Sequence, residues 1–254
     1  MIQLKTQEDI ETMKEGGRIH ARILRALGEA VQPNVSAMEI DTLARALMEE
    51  ALVKPAFLGY TPEGVSYPYP AAVCISVNDE VVHGIPEEDI LFQEGDIVSL
   101  DIGILYKGLI TDGAITVPCG EVSDEAQKLI NITKEALAIG VKAAQPGNTV
   151  GDIGYAIETF VAPHGYGIIK ILAGHGVGYS VHEDPYIPNY GRKGEGEKLV
   201  PGMVIAIEPM LTLGTDEVAV TEDEYTYVTY DGSLAAHFEH TIAITEEGPI
   251  ILTK

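Results

Sequence analysis

A chain of 254 residues with 39 acidic against 16 basic side chains carries a formal net charge of -23. That charge repels phosphate backbones and argues against direct nucleic-acid binding, while it attracts metal ions and protonated amines. The cysteines Cys74 and Cys119 supply no disulfide framework, and the longest apolar runs fall short of the ~18 residues of a membrane span, so a cytoplasmic protein is expected.

The charged opening segment lacks the apolar stretch of a signal peptide. Ile10, Met13, Ile19, Ile23, Leu24 and Leu27 recur at helical spacing and predict a first helix, broken at Gln32-Pro33-Asn34. Ser36 followed by Glu39 is a capping-box signature, and Ile40, Leu43, Ala44 and Leu47 carry a second apolar stripe to about Glu50. Residues 54–70 are rich in Pro, Gly and Tyr and read as a loop. AAVCISV, DIVSLDIGILY and LITDGAITV are short and β-branched, which predicts strands through Val117. Helices resume at Ser123 and run with a break to about Ala162, and strands dominate from Gly167 to Leu252.

The alternation of helices and strands occurs twice, and two local patterns repeat with it. Gln32-Pro33 leads to Ser36, Glu39 and Ile40, as Gln145-Pro146 leads to Thr149, Asp152 and Ile153. Gly95 opens a run ending in Asp101, and Gly202 opens one ending in Glu208, the acid six residues after the glycine in each. The expectation is an α+β fold made of two related halves, about 1–120 and 121–254, facing each other across a pseudo-two-fold axis within a single domain, 1–254.

Charged groups inside apolar strands are costly unless paired or bound to a metal. Asp101 lies in IVSLDIGIL, Asp112 in LITDGAI, Glu208 in VIAIEPML and Glu239 in HFEHTIAIT, with few Lys or Arg nearby. A divalent cation neutralises such a set directly. His83, His175 and His182 occur in Gly-flanked loops beside strands, where backbone and ligand approach closely. His20, His164 and His237 read as surface or structural, and His240, next to Glu239, points to the opposite face of its strand. Carboxylates with a single His favour octahedral or five-coordinate Mn, Fe(II), Co or Zn over a closed Cys/His zinc site, and bridging carboxylates suggest two ions.

Val82-His83-Gly84-Ile85-Pro86, Asp101, Asp112, Ala173-Gly174-His175-Gly176-Val177-Gly178, His182-Glu183, Ile207-Glu208-Pro209-Met210 and Phe238-Glu239-His240-Thr241 together resemble the type I methionine aminopeptidases over nearly the whole chain. The resemblance implies the pita-bread fold, with duplicated halves around a central antiparallel sheet, and removal of the initiator Met from nascent chains whose second residue is small. It implies that Asp101, Asp112, His175, Glu208 and Glu239 ligate two divalent ions, with Asp112 and Glu239 bridging. A hydroxide held between the ions would attack the first peptide carbonyl, with Glu208 handling its proton. His182 would contact the developing oxyanion and His83 the scissile amide nitrogen.

Phe57, Tyr60, Tyr69, Cys74, Val181 and Tyr225 match positions that line the Met side-chain pocket, although as a sequence pattern these residues equally suit core packing. A rim Trp usual in such pockets is absent, Tyr225 falling near its place, and Gly113 follows Asp112 where Thr is commoner. The short stretch between Glu208 and Glu239 fits type I and leaves no room for the type II insertion. A monomer with transient ribosome association and no membrane contact is expected. The rival readings are an Xaa-Pro aminopeptidase or prolidase, which shares fold and ligands, and a catalytically inactive pita-bread binding module.

Overall fold

The computed structural model describes residues 2–62 and 64–254. Helix α1 (Gln7–Ala30) opens on a capping box: the Thr6 hydroxyl accepts from the Asp9 N–H at 3.1 Å, and the Asp9 carboxylate accepts from the Thr6 N–H at 2.9 Å. Ser36 and Glu39 do the same for α2 (Ala37–Glu50). α3 (Asp124–Ala143) starts from Ser123 and α4 (Val150–Val161) from Thr149, whose N–H and hydroxyl both donate to Asp152. Helices α1 to α4 lie where the sequence predicts helices.

Each helix pair covers the strands that follow it. Ile23, Leu27, Ile40 and Met48 pack on Ile75, Leu100 and Ile102. Leu129, Leu137, Ile153 and Ile157 pack on Ile205 and Ile207. In the first half, Ile97–Tyr106 and Leu109–Pro118 form a long antiparallel hairpin from Ile97↔Pro118 to Tyr106↔Leu109. Its two-residue turn, Lys107-Gly108, has φ of 49° and 86°, both in the left-handed region that suits the twist of the flanking strands. Val73–Val77 pairs along the other edge of Ile97–Tyr106. The stretch read as a loop also contributes two strand residues there, Lys54 and Pro55, opposite Leu105 and Ile104. Proline is tolerated in that position because the strand is at an edge.

In the second half, Gly248–Ile251, His240–Thr245, Val204–Ile207, Gly174–Gly176 and Glu183–Ile187 lie side by side in that order, all antiparallel. The repeat seen in the sequence is also a repeat of backbone geometry. Ser36 makes an isolated bridge to Leu91 and Thr149 one to Lys198, each partner lying four residues before the glycine that opens the strand. Those glycines, Gly95 and Gly202, have φ of 98° and 94°. Asn34 and Gly147, after the paired Gln-Pro steps, have φ of 69° and 91°.

The halves are joined at a polar seam. The Glu239 N–H donates to the Ala114 carbonyl at 2.9 Å, and the Ala114 N–H returns to the Glu239 carbonyl at 3.4 Å. One residue layer away, the Thr241 hydroxyl accepts from the Asp112 N–H at 2.8 Å and donates to the Asp112 carbonyl at 2.7 Å. The seam therefore fixes both acids, Asp112 and Glu239, by their main chains. Among the described residues no helix is long and apolar enough to cross a membrane.

Candidate metal centre

The hairpin register decides where the first two acids point. Asp101 stands opposite Ala114 and Asp112 opposite Gly103; side chains two apart on a strand share a face, so both carboxylates project from the same side. Cys74 lies opposite Asp101 on the other neighbouring strand and shares that face. His175 comes from the short strand Gly174–Gly176, Glu208 follows the strand Val204–Ile207, and Glu239 sits between Ala235–His237 and His240–Thr245. All five acids and bases line one cavity of about 100 Å³. Donor atoms of Asp112, His175 and Glu239 lie within 4.8 Å of one another, and His175 Nε2 is 3.5 Å from Glu208 Oε1 and 3.9 Å from Asp112 Oδ2.

The electrostatics of this cluster call for a cation. Burial pushes the Asp101, Glu208 and Glu239 carboxyls well above the usual carboxylate range, with neighbouring acids adding to the effect, and burial lifts Asp112 to about 7. Among the described residues no Lys or Arg pairs with any of the four. Asp101 Oδ1 and Glu239 Oε1 are buried with no hydrogen-bond partner among the described residues. His175 Nδ1 is 2.9 Å from the Gly176 carbonyl, to which only an N–H can donate. That bond fixes the tautomer and turns the Nε2 lone pair toward the carboxylate oxygens. Burial, then the adjacent His182, holds His175 at about 3, so the ring is neutral near pH 7. A lone pair facing carboxylate oxygens is repulsive by itself and favourable around a cation. The donor set, hard oxygens with one imidazole, fits a divalent transition metal.

The remaining expected residues lie around the same cavity. Phe57, Tyr60, Tyr69, Cys74, Val181 and Tyr225 wall it, with Pro62, which the sequence reading did not include. Tyr225 is buried, its ring edge-on to Tyr67 and Tyr69 at 5.3 and 5.1 Å. Its hydroxyl donates to the Tyr67 carbonyl. His182 sits at the mouth, its Nδ1 2.9 Å from the Tyr60 hydroxyl and its ring 4.5 Å from that of His175. His83 has φ of 63°, a left-handed conformation rare outside glycine and often found where a side chain is held for function. The Tyr69 hydroxyl pins the next residue by donating to the Gly84 carbonyl at 2.7 Å.

Two histidines read as surface or structural are neither exposed nor remote. His20 is fully buried against Gly113, and His237 is buried with Nε2 3.6 Å from Glu208 Oε2 and 4.0 Å from Glu239 Oε2. The signal for His237 was available: two residues before Glu239 on extended chain, it shares that acid's face. His164 stays structural, its ring between those of Phe160 and Tyr166. His240 turns away from the cavity and bonds the Thr253 hydroxyl at 3.0 Å. Asn189, which drew no notice in the sequence, donates to the Glu208 carbonyl at 3.0 Å and holds the main chain of that acid.

Comparison with known proteins places the chain in a family. Residues 11–246 match the model of metallopeptidase family M24. The methionine aminopeptidase of Aquifex aeolicus is 48% identical over 257 residues, covering 100% of this chain and 99% of that protein. Methionine aminopeptidase 1 of Bacillus subtilis is 42% identical over 254 residues, with 100% of both covered. The crystal structure of the Thermotoga maritima methionine aminopeptidase superposes with a TM-score of 0.96 at 45% identity, covering 100% of each chain. The prolidase of Pyrococcus horikoshii, at 24% identity and a TM-score of 0.78 over 63% of its length, shares the fold alone. With its pita-bread fold and its acid-lined cavity at the seam of two halves, the chain belongs to metallopeptidase family M24.

Proposed function

We propose that this protein is a metal-dependent aminopeptidase that removes the N-terminal methionine from peptides and nascent proteins, preferring a small second residue. The observation that carries the reading is one cavity with two ends. Aromatic and aliphatic side chains form one end, and the other holds four buried acids facing the unprotonated nitrogen of His175. The whole chain acts as one catalytic unit in this reading, both halves supplying residues to the site.

Asp101, Asp112, His175, Glu208 and Glu239 would hold two divalent ions, of Co, Mn, Fe(II) or Zn. Such ions, when bound, polarise a carbonyl and lower the pKa of water to near neutrality. The chain's own residues do the rest. Phe57, Tyr60, Tyr69, Cys74, Val181 and Tyr225 enclose the methionine side chain and exclude water from it. Glu208 accepts a proton from the attacking water and passes it to the leaving amine. Tyr60 and His182 Nδ1 share a hydrogen bond of 2.9 Å; with the hydroxyl as donor, the ring proton sits on Nε2, where it can meet charge developing on the carbonyl oxygen. His83 contacts the scissile amide nitrogen.

The test is release of the first residue from Met-Gly, Met-Ala, Met-Leu and Ala-Pro peptides by metal-loaded protein. Met-Gly and Met-Ala are expected to be cut far faster than Met-Leu, with Ala-Pro left intact. Preferential cleavage of Ala-Pro would replace this reading with an Xaa-Pro enzyme, and no cleavage of any peptide would leave a binding module.

A further inference from the structure

His237 stands apart from the other histidines because both of its ring nitrogens are buried without a hydrogen-bond partner among the described residues. Leaving such a group unpaired is costly, so an orphaned ring beside a functional site calls for a role. The backbone delivers the ring with little freedom. The strand Ala235–His237 pairs with Met210–Thr212 so that His237 faces Met210, and the Phe238 N–H donates to the Pro209 carbonyl at 3.3 Å. His237 is thereby held against the Glu208-Pro209 turn. From the other side the Thr116 hydroxyl accepts from the His237 N–H at 2.8 Å and donates to its carbonyl at 2.9 Å. Thr116 is itself bonded to Ser99 at 2.8 Å.

Glu208 is bracketed by two imidazoles: Oε1 lies 3.5 Å from His175 Nε2, and Oε2 lies 3.6 Å from His237 Nε2. The second contact is just beyond hydrogen-bond length, and a small rotation of either side chain closes it. We propose that His237 is a positioning residue for Glu208: its Nε2–H donates to Oε2, which leaves Oε1 turned to the metal side next to His175. This rests on the metallopeptidase reading above. A donor behind a ligating carboxylate fixes the orientation of the ligand, and losing one typically weakens metal binding by about 10- to 100-fold. The side-chain amide of Gln also reaches across with an N–H, whereas Leu has no donor and the amide of Asn is one methylene too short.

The experiment titrates Co(II) into wild-type protein and the His237→Gln, His237→Asn and His237→Leu variants. It reads affinity by calorimetry and ligand arrangement by the visible absorption of bound cobalt, with folding followed by circular dichroism and kcat and KM measured on a Met-Ala-Ser peptide. The Leu variant is expected to bind cobalt about 10- to 100-fold more weakly, with a shifted cobalt spectrum and a lower kcat at little-changed KM. The Gln variant should restore affinity and spectrum, and the Asn variant should not. Should the Leu variant fail to fold, the contrast between Gln and Asn decides. Cobalt binding equal in all variants, with one spectrum, would overturn the assignment while leaving the metallopeptidase reading intact. No cobalt binding by the wild type would overturn both.

Discussion

Nε2 of His20 lies 2.8 Å from the place a Cβ on Gly113 would occupy. The pair explains a departure noticed in the sequence, the glycine after Asp112. The ring descends from α1 into the space that a threonine side chain would fill, and its Nδ1 meets the Thr111 hydroxyl at 3.3 Å. The donor to the Asp112 carboxylate then comes from the backbone, Gly113 N–H to Oδ1 at 3.0 Å.

Gly113→Thr should therefore destabilise the fold by about 1–3 kcal/mol through overpacking. Combined with His20→Ala, which vacates the space, the double variant should be more stable than the sum of the single losses by more than about 0.5 kcal/mol. Thermal or urea unfolding of the four proteins measures this coupling. Strict additivity would mean that the two positions are independent.

The loop that presents Val181 and His182 hangs on a buried ion pair. Glu183 accepts from the Tyr179 and Ser180 N–H groups at 2.6 and 2.9 Å through one oxygen and pairs with Lys5 through the other. The two side chains are only 1% and 5% exposed. Lys5→Met leaves the buried Glu183 without its counter-ion, which typically costs about 3–5 kcal/mol. We expect a lower Tm and a lower kcat together in this variant, and a Lys5→Met/Glu183→Gln double variant that recovers part of the stability. An unchanged Tm for Lys5→Met would show that the pair carries no such weight.

The buried acids make the metal-free protein sensitive to alkali. Asp112 titrates at about 7 when folded against 3.8 as an ordinary side chain, so the folded state binds more protons than the unfolded chain across that window, and stability falls as pH rises through it. The buried histidines oppose this at lower pH: His175 and His237, held at about 3 against 6.5, favour the fold above 6.5 and withdraw that support as pH drops. Just above 6.5, below the range of the buried Cys74 thiol and Tyr69 phenol, the acids set the trend. In EDTA the Tm should decline as pH passes through about 7, and saturating Mn(II) should remove the decline because it binds the ionised acids. Parallel Tm curves with and without metal would contradict the assignment of these acids to the ion.

His182 is expected to act on the reaction and not on the ion. His182→Ala should lower kcat by about 10²-fold with metal content unchanged, and Tyr60→Phe, which removes the bond to Nδ1, should lower it less. Metal analysis beside steady-state kinetics separates the effects. Loss of metal from His182→Ala would make that ring a ligand.

Much of this site was legible because charge inside an apolar strand is costly. Asp101 and Asp112 stood out in runs of Ile, Leu and Val, and the turn at Lys107-Gly108 set the register that brings them together. The repeat was readable for a similar reason, since left-handed turns at Gly95 and Gly202 need glycine at matching places. The second half was legible only in outline. Its strands include the two residues of Gly167–Ile168 and the three each of Gly174–Gly176 and Ala235–His237, too few for a period to declare itself. The apolar wall owed its identification to the family resemblance, because Phe57 or Val181 carries no local mark distinguishing a pocket from a core. Asn189 and His20 escaped because their partners, Glu208 and Gly113, are near them only in space.

The central claim, an ion centre that anchors a free amino terminus beside a methionine pocket, is tested most directly by paired peptides. Metal-loaded protein is given Met-Ala-Ser and its N-acetylated form, and released methionine is measured over time. Rapid release from the free peptide, none from the acetylated one and loss of turnover in Asp112→Asn are the predicted result. Equal release from both peptides, or near-normal turnover by Asp112→Asn, would contradict it.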